Sequence, residues 1–133
     1  MWKILLADDH KLVRQGIRGL LEDEPDFVVV GEARDGIEAL DLAKIVKPDI
    51  LVTDLKMPRL DGLEVIRYLR KADPGIRTIM LTMVSDEIYV TEAIEAGAHG
   101  YVVKDSSINE LIQAIRIVGG GQRYISQRVN NGF

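Results

Sequence analysis

Short apolar runs alternate along the chain with longer stretches whose apolar residues recur every three or four positions. Trp2-Lys3-Ile4-Leu5-Leu6-Ala7 reads as a strand that stops on Asp8-Asp9. The next stretch spaces Leu12, Val13, Ile17, Leu20 and Leu21 near the helical period, which predicts one buried face. Asp9 is the expected cap of that helix, and Pro25 closes it off. Phe27-Val28-Val29-Val30-Gly31-Glu32-Ala33 is the second strand, followed by a turn at Asp35-Gly36 and a helix from about Ile37 to Val46. Pro48 bars further helix. Ile50-Leu51-Val52-Thr53 then reads as a buried strand that halts on Asp54. Pro58 opens the loop into a third helix with an apolar face of Leu60, Leu63, Val65, Ile66 and Leu69, stopped by Asp73-Pro74-Gly75. Ile76 to Leu81 forms the fourth strand, ending on Thr82. Ser85 is the expected cap of a fourth helix that runs to about Ala96, where Gly97 ends it in a left-handed conformation. Gly100-Tyr101-Val102-Val103 is the fifth strand, ending on Lys104. Ser106 or Ser107 caps the fifth helix, whose face carries Ile108, Leu111, Ile112, Ile115 and Val118.

Five strands alternating with five helices predict an α/β fold, a parallel sheet with helices on both faces. Right-handed crossovers leave few topologies. For five units the expected strand order is 2-1-3-4-5, the flavodoxin-like arrangement. In that order the first and third strands lie side by side and the chain reverses direction between them. Asp8, Asp9 and Asp54 then meet in the crevice at the switch point, where α/β sheets place their chemistry. Thr82 and Lys104 end the two strands beyond it.

Composition narrows the class. At 133 residues, 47% apolar and 29% charged, the chain fits one globular domain. It contains no cysteine, so a disulfide framework and a thiolate zinc site are excluded, and a cytoplasmic setting fits. No apolar run approaches ~20 residues, so no membrane span is expected. A net charge of −4 argues against this chain itself gripping a phosphate backbone.

The joint pattern resembles the receiver domain of a two-component response regulator over nearly the whole chain. The motifs are Asp8-Asp9 after the first strand, Asp54 with Met57-Pro58 after the third, Thr82 after the fourth, and Tyr101 and Lys104 in and after the fifth. Asp8-Asp9-His10 at the front and Gly100-Tyr101-Val102-Val103-Lys104-Asp105 near the end are similar to regulators with a LuxR-type helix-turn-helix output. The resemblance implies residues 1–120 as the receiver and 121–133 as the start of a linker or tail. It implies Asp54 as the acceptor of a phosphoryl group from a sensor histidine kinase, with Lys104 and Thr82 assisting. Asp9, Asp54 and the backbone carbonyl of Lys56 would bind Mg²⁺ directly, with Mn²⁺ a substitute, and Asp8 would act through water. Coupling of Thr82 to Tyr101 would reshape the fourth helix, fifth strand and fifth helix and promote a homodimer. DNA would be reached only through an output domain, since about a dozen residues after the fifth helix are too few to build one.

The residue types suit that chemistry. Clustered carboxylates repel, and a hard divalent cation with oxygen ligands relieves the repulsion. Phosphoryl transfer asks a protein mainly for positioning and neutralisation of charge. Taken singly, each residue has a plainer role: Asp8-Asp9 as a helix cap, Thr82 and Tyr101 as sheet residues, Lys104 as a solvent-facing charge. Only the constellation overturns these. His10 and His99 have no evident partner, and His10 is not expected to be the phosphoacceptor.

Three departures from the family stand out. Lys104 precedes Asp105 where the family often has proline, which leaves the geometry of that bond open. Met83 follows Thr82 where a small residue is common, and its side chain is expected to shade the site and slow hydrolysis. The sequence ends soon after Arg123-Tyr124-Ile125-Ser126, where a linker toward an output domain is expected, as in either a stand-alone receiver or a part of a longer regulator. Rival classes fare worse. A haloacid-dehalogenase-type phosphatase needs a second Asp where Lys56 stands, and no Gly-rich nucleotide motif is present. A receiver fold that has lost phosphorylation would not be expected to keep all the site residues.

Overall fold

The computed structural model describes residues 1–84, 86–104 and 108–126. Strands and helices alternate as β1 (Trp2–Ala7), α1 (Lys11–Glu22), β2 (Phe27–Ala33), α2 (Gly36–Val46), β3 (Ile50–Thr53), α3 (Gly62–Ala72), β4 (Arg77–Thr82), α4 (Glu87–Ala96), β5 (Gly100–Val103), α5 (Ile108–Gly119) and β6 (Tyr124–Ile125). All pairings are parallel, in the order β2-β1-β3-β4-β5-β6. The expected 2-1-3-4-5 core is therefore present. The addition is β6, which lies in the stretch expected to be linker. Its register is held by Tyr124 N–H to His99 O and Ser126 N–H to Tyr101 O. A two-residue strand leaves no periodic pattern to detect, but it satisfies backbone groups on the exposed edge of β5.

Side chains alternate between the two faces of the sheet because the strand period is two. Ile4, Leu6, Val52, Ile79, Leu81 and Val102 point toward α1 and α5, where Leu21, Leu111, Ile115 and Val118 meet them. On the other face Leu5 and Leu51 pack with Ala39, Ala43, Val65 and Leu69 of α2 and α3. Met80 and Tyr101 pack there with Val90 and Ala93 of α4. All four residues of β3 are buried, as a central parallel strand requires.

Several local expectations change. On α1 only Leu21 is buried, and Leu12 is 84% exposed. Nine residues at roughly 100° each put Leu12 on the side opposite Leu21, so the apolar positions form more than one stripe. Asp9 does not cap α1: the N-cap is His10, and it makes no side-chain cap bond. Asp35 is no simple turn residue. Its carboxylate accepts the Glu38 N–H and caps α2. A capping box, Asp61 with Glu64, starts α3. The N-cap of α4 is Asp86. Gly97 ends α4 at φ 113°, as expected. The caps assigned to Ser85, Ser106 and Ser107, and the Lys104–Asp105 bond, lie outside the described residues.

Candidate functional site

Adjacent pairing of β1 and β3 sets Ala7 beside Thr53, and the Asp54 N–H donates to Ala7 O at 2.9 Å. The carboxylates that follow each strand therefore share one crevice. Asp8 and Asp54 are 4% and 7% exposed, values unusual for acids. Their compensation is Lys104, which follows β5. Its Nζ donates to Asp8 Oδ2 at 2.6 Å and to Asp54 Oδ2 at 2.9 Å. Burial disfavours the Lys104 charge, but the hydrogen bonds to Asp8 and Asp54 outweigh it and hold the ammonium above its ordinary pKa. The remaining oxygen of Asp54, Oδ1, accepts the Leu55 N–H at 2.7 Å. Asp54 is thus fixed by backbone on one side and by a cation on the other.

The acidic end also fits a divalent cation. One donor atom from each of Asp8, Asp9, His10 and Asp54 lies within 4.8 Å of the others. Among the described residues, no hydrogen bond is made to the Lys56 carbonyl, which leaves it available as an oxygen ligand. Hard oxygen donors of this kind suit Mg²⁺ or Mn²⁺. His10, which had no evident partner in the sequence, has its Nδ1 at 3.2 Å from both Asp8 Oδ1 and Asp9 Oδ1. His99 stands at the opposite end of the sheet. Its Nδ1 accepts the Thr78 N–H at 3.1 Å, and burial with Arg77 and Arg123 nearby keeps its pKa low.

On the far side of Asp54, Thr82 is 2% exposed and its Oγ1 accepts the Val84 N–H at 3.3 Å. The Tyr101 hydroxyl donates to Val84 O. One residue of the loop after β4 is therefore tied to both. Tyr101 is 1% exposed, because the ring fills the space between β5 and α4. Burial pushes its hydroxyl well above the ordinary tyrosine pKa, so it stays a donor. Met83 is largely exposed. It lines an apolar groove with Val13, Leu20, Ile108 and Leu111 that reaches Lys104.

Supporting residues absent from the expected set hold this frame. Arg14 donates to Asp8 O at 2.6 Å and to Glu32 Oε1 at 2.8 Å, while Arg18 donates to Glu32 Oε2 at 2.8 Å. Burial raises the Glu32 pKa, but Arg18 and Arg14 outweigh it and hold the carboxyl below its usual range. That stabilisation is present above the unfolded carboxyl pKa and is lost as pH falls through the lower folded one. Arg59, at φ 68°, clamps Asp35 with contacts of 2.9–3.1 Å and ties the loop after β3 to the start of α2. The Arg14/Arg18 spacing of four was the one signal in the sequence for this network. The Arg59 clamp left none.

Two glycines let that loop be gripped closely. A Cβ on Gly36 would lie 2.1 Å from Leu60 O, and one on Gly62 would lie 2.1 Å from Asp54 O. Both obstacles are backbone, so neither can rotate aside. Gly62→Ala is expected to cost about 1–3 kcal/mol and to displace Asp54. Urea unfolding measures the first and phosphoryl uptake the second. A variant with unchanged midpoint and uptake would show that the loop yields freely.

The family model for the response regulator receiver domain matches residues 4–116. The response regulator GacA of Pseudomonas aeruginosa is 43% identical over 129 residues, covering 97% of this chain and 60% of the relative. The nitrate/nitrite response regulator protein NarP of Escherichia coli is 40% identical with the same coverage. The chain thus spans about 60% of the length of these curated relatives. A crystal structure of a LuxR-family two-component response regulator from Aurantimonas sp. SI85-9A1 superposes with a TM-score of 0.95 at 40% identity, covering 98% of this chain and 94% of that one. No helix among the described residues is long and apolar enough to cross a membrane. A family model that covers most of the chain and relatives above 40% identity show that the chain belongs to the response regulator receiver domain family.

Proposed function

We propose that Asp54 accepts a phosphoryl group from the phosphohistidine of a sensor histidine kinase, and that the acyl phosphate switches an output in the cytoplasm. The observation that carries this is the Lys104 ammonium, 2.9 Å from an Asp54 carboxylate whose other oxygen is pinned by a backbone N–H. An Asp54 oxygen attacks phosphorus, the histidine nitrogen leaves, and Lys104 neutralises charge on the transferred group. Mg²⁺, with Mn²⁺ as substitute, would be held by Asp9, Asp54 and the Lys56 carbonyl, with Asp8 acting through water. It supplies further positive charge at the phosphoryl oxygens. The chain promotes its own phosphorylation and slow loss of phosphate and is not a turnover enzyme.

The phosphoryl group brings about −1.5 to −2 charge and strong acceptors. Thr82 then donates its hydroxyl toward it and gives up the Val84 N–H. Tyr101 bonds the carbonyl of that same residue, so the loop, α4, β5 and α5 shift together. Residues 1–120 form the switching body, with 121–133 leading toward a DNA-binding output domain that regulates transcription, LuxR-type as in the similar regulators.

Incubation with acetyl phosphate and Mg²⁺, followed by intact-mass spectrometry, tests the acceptor role. Stoichiometric uptake is expected. Rapid turnover would point instead to a phosphatase, and no uptake to a pure interaction module. Beryllofluoride, a phosphoryl mimic, is expected to drive this chain from monomer to dimer on a sizing column with light scattering. A monomer unchanged at tens of micromolar would refute the dimer. The chain alone is expected not to retard a promoter fragment sequence-specifically.

A further inference from the structure

We propose that His10 is a nitrogen ligand of the divalent-cation site, so that the site takes borderline cations such as Zn²⁺ and Co²⁺ chiefly through the imidazole, besides the harder Mg²⁺ and Mn²⁺ that its oxygens favour. This rests on the cation reading above and goes beyond it, since that reading uses carboxylate and carbonyl oxygens alone.

The geometry matches a coordination edge. An octahedral ion with metal–ligand distances of about 2.1 Å sets neighbouring donors about 3.0 Å apart and opposite donors about 4.2 Å apart. His10 Nδ1 lies 3.2 Å from Asp9 Oδ1, close to that edge spacing, and 3.2 Å from Asp8 Oδ1, the carboxylate that would meet the ion through water. The whole donor set, Asp54 included, lies within 4.8 Å, so only a small contraction closes it. The ring is positioned by its own backbone: the His10 N–H donates to Asp8 Oδ1 at 2.8 Å. Asp8 is anchored on its other oxygen by Lys104 at 2.6 Å and through its carbonyl by Arg14 at 2.6 Å. His10 is the N-cap residue of α1 and yet makes no side-chain cap bond, so the helix does not claim the imidazole.

The ring is not there for stability. Its side chain is 65% exposed, and an ion pair in that setting is worth little. Exposure also leaves room for water to complete the shell. As a ligand, Nδ1 offers its lone pair while Nε2 carries the proton toward solvent. Imidazole favours zinc, cobalt and nickel over magnesium, whereas the oxygens favour magnesium and manganese. His10 would therefore set which cations the site accepts, with Asp9 and Asp54 setting whether it accepts any.

The test uses the 133-residue chain as wild type, His10→Ala, His10→Gln and Asp9→Ala. Calorimetric titrations with MgCl2 and ZnCl2 give affinities, and pulsed EPR of the Mn²⁺-loaded protein detects a bonded nitrogen. The expected result is ¹⁴N modulation in the wild type that both His10 variants lose. Zn²⁺ affinity should fall about tenfold or more in His10→Ala, with Mg²⁺ affinity within about twofold. Unchanged Zn²⁺ affinity with no nitrogen modulation would overturn the His10 assignment while Asp9→Ala still abolished Mg²⁺ binding. Mg²⁺ binding that survived Asp9→Ala would instead overturn the cation site itself.

Discussion

Asp54→Asn is expected to take up no phosphoryl group from acetyl phosphate and Mg²⁺, while keeping its stability within about 1 kcal/mol of the wild type. The amide is close to isosteric, and its oxygen can still accept the Leu55 N–H that Asp54 Oδ1 accepts at 2.7 Å. What it lacks is the negative oxygen that attacks phosphorus. Lys104 keeps its contact with Asp8 at 2.6 Å, so the buried ammonium is not orphaned. Intact-mass spectrometry reads the uptake and urea unfolding reads the stability. Labelling at the wild-type yield would move the acceptor elsewhere, Asp8 being the other buried carboxylate of the crevice.

Lys104→Ala is expected to be the most destabilising single change at the site, about 3 kcal/mol without a divalent cation. The Lys104 side chain is 12% exposed and its two partners 6% and 9%. Removing it leaves two buried carboxylates facing each other with no counter-charge. Mg²⁺ should recover most of that loss, because a divalent ion supplies the missing positive charge, and it should raise the variant's unfolding midpoint more than the wild type's. Phosphoryl uptake should also fall steeply, since charge on the transferred group goes unneutralised. Urea titrations with and without MgCl2 decide it. A midpoint loss that Mg²⁺ leaves untouched would mean that Lys104 matters through packing of its stem and not through charge.

Much of the fold was legible because its signals are local and periodic. Runs such as Ile50 to Thr53, buried throughout, and the Leu63, Val65, Ile66 and Leu69 face of α3 are written in spacing alone. Stop signals were equally direct: Gly97 sits at φ 113°, where a side chain is strained. Helix starts were read less well. Asp35 and Asp61 proved to be caps, and Asp9 did not, because a cap depends on the backbone angles one turn earlier and not on residue type alone. On α1 the apolar spacing overstated burial, with Leu12 exposed on the far side.

The site divides along the same line. By itself the sequence determined which chemistry each strand delivers: Asp8 and Asp9 after β1, Asp54 after β3, Thr82 after β4, Lys104 after β5. It also determined, through alternating elements, that all of these lie at one end of a parallel sheet. Only the tertiary structure decided which of them touch. Lys104 is 96 residues from Asp8 and 50 from Asp54, yet it bonds both, because the sheet order sets the strands side by side. The link from Tyr101 to Val84, the Arg59 clamp on Asp35 and the edge strand at Tyr124–Ile125 have the same origin. Contacts between residues far apart along the chain follow from packing of whole elements, and packing leaves no trace in the spacing of any one segment.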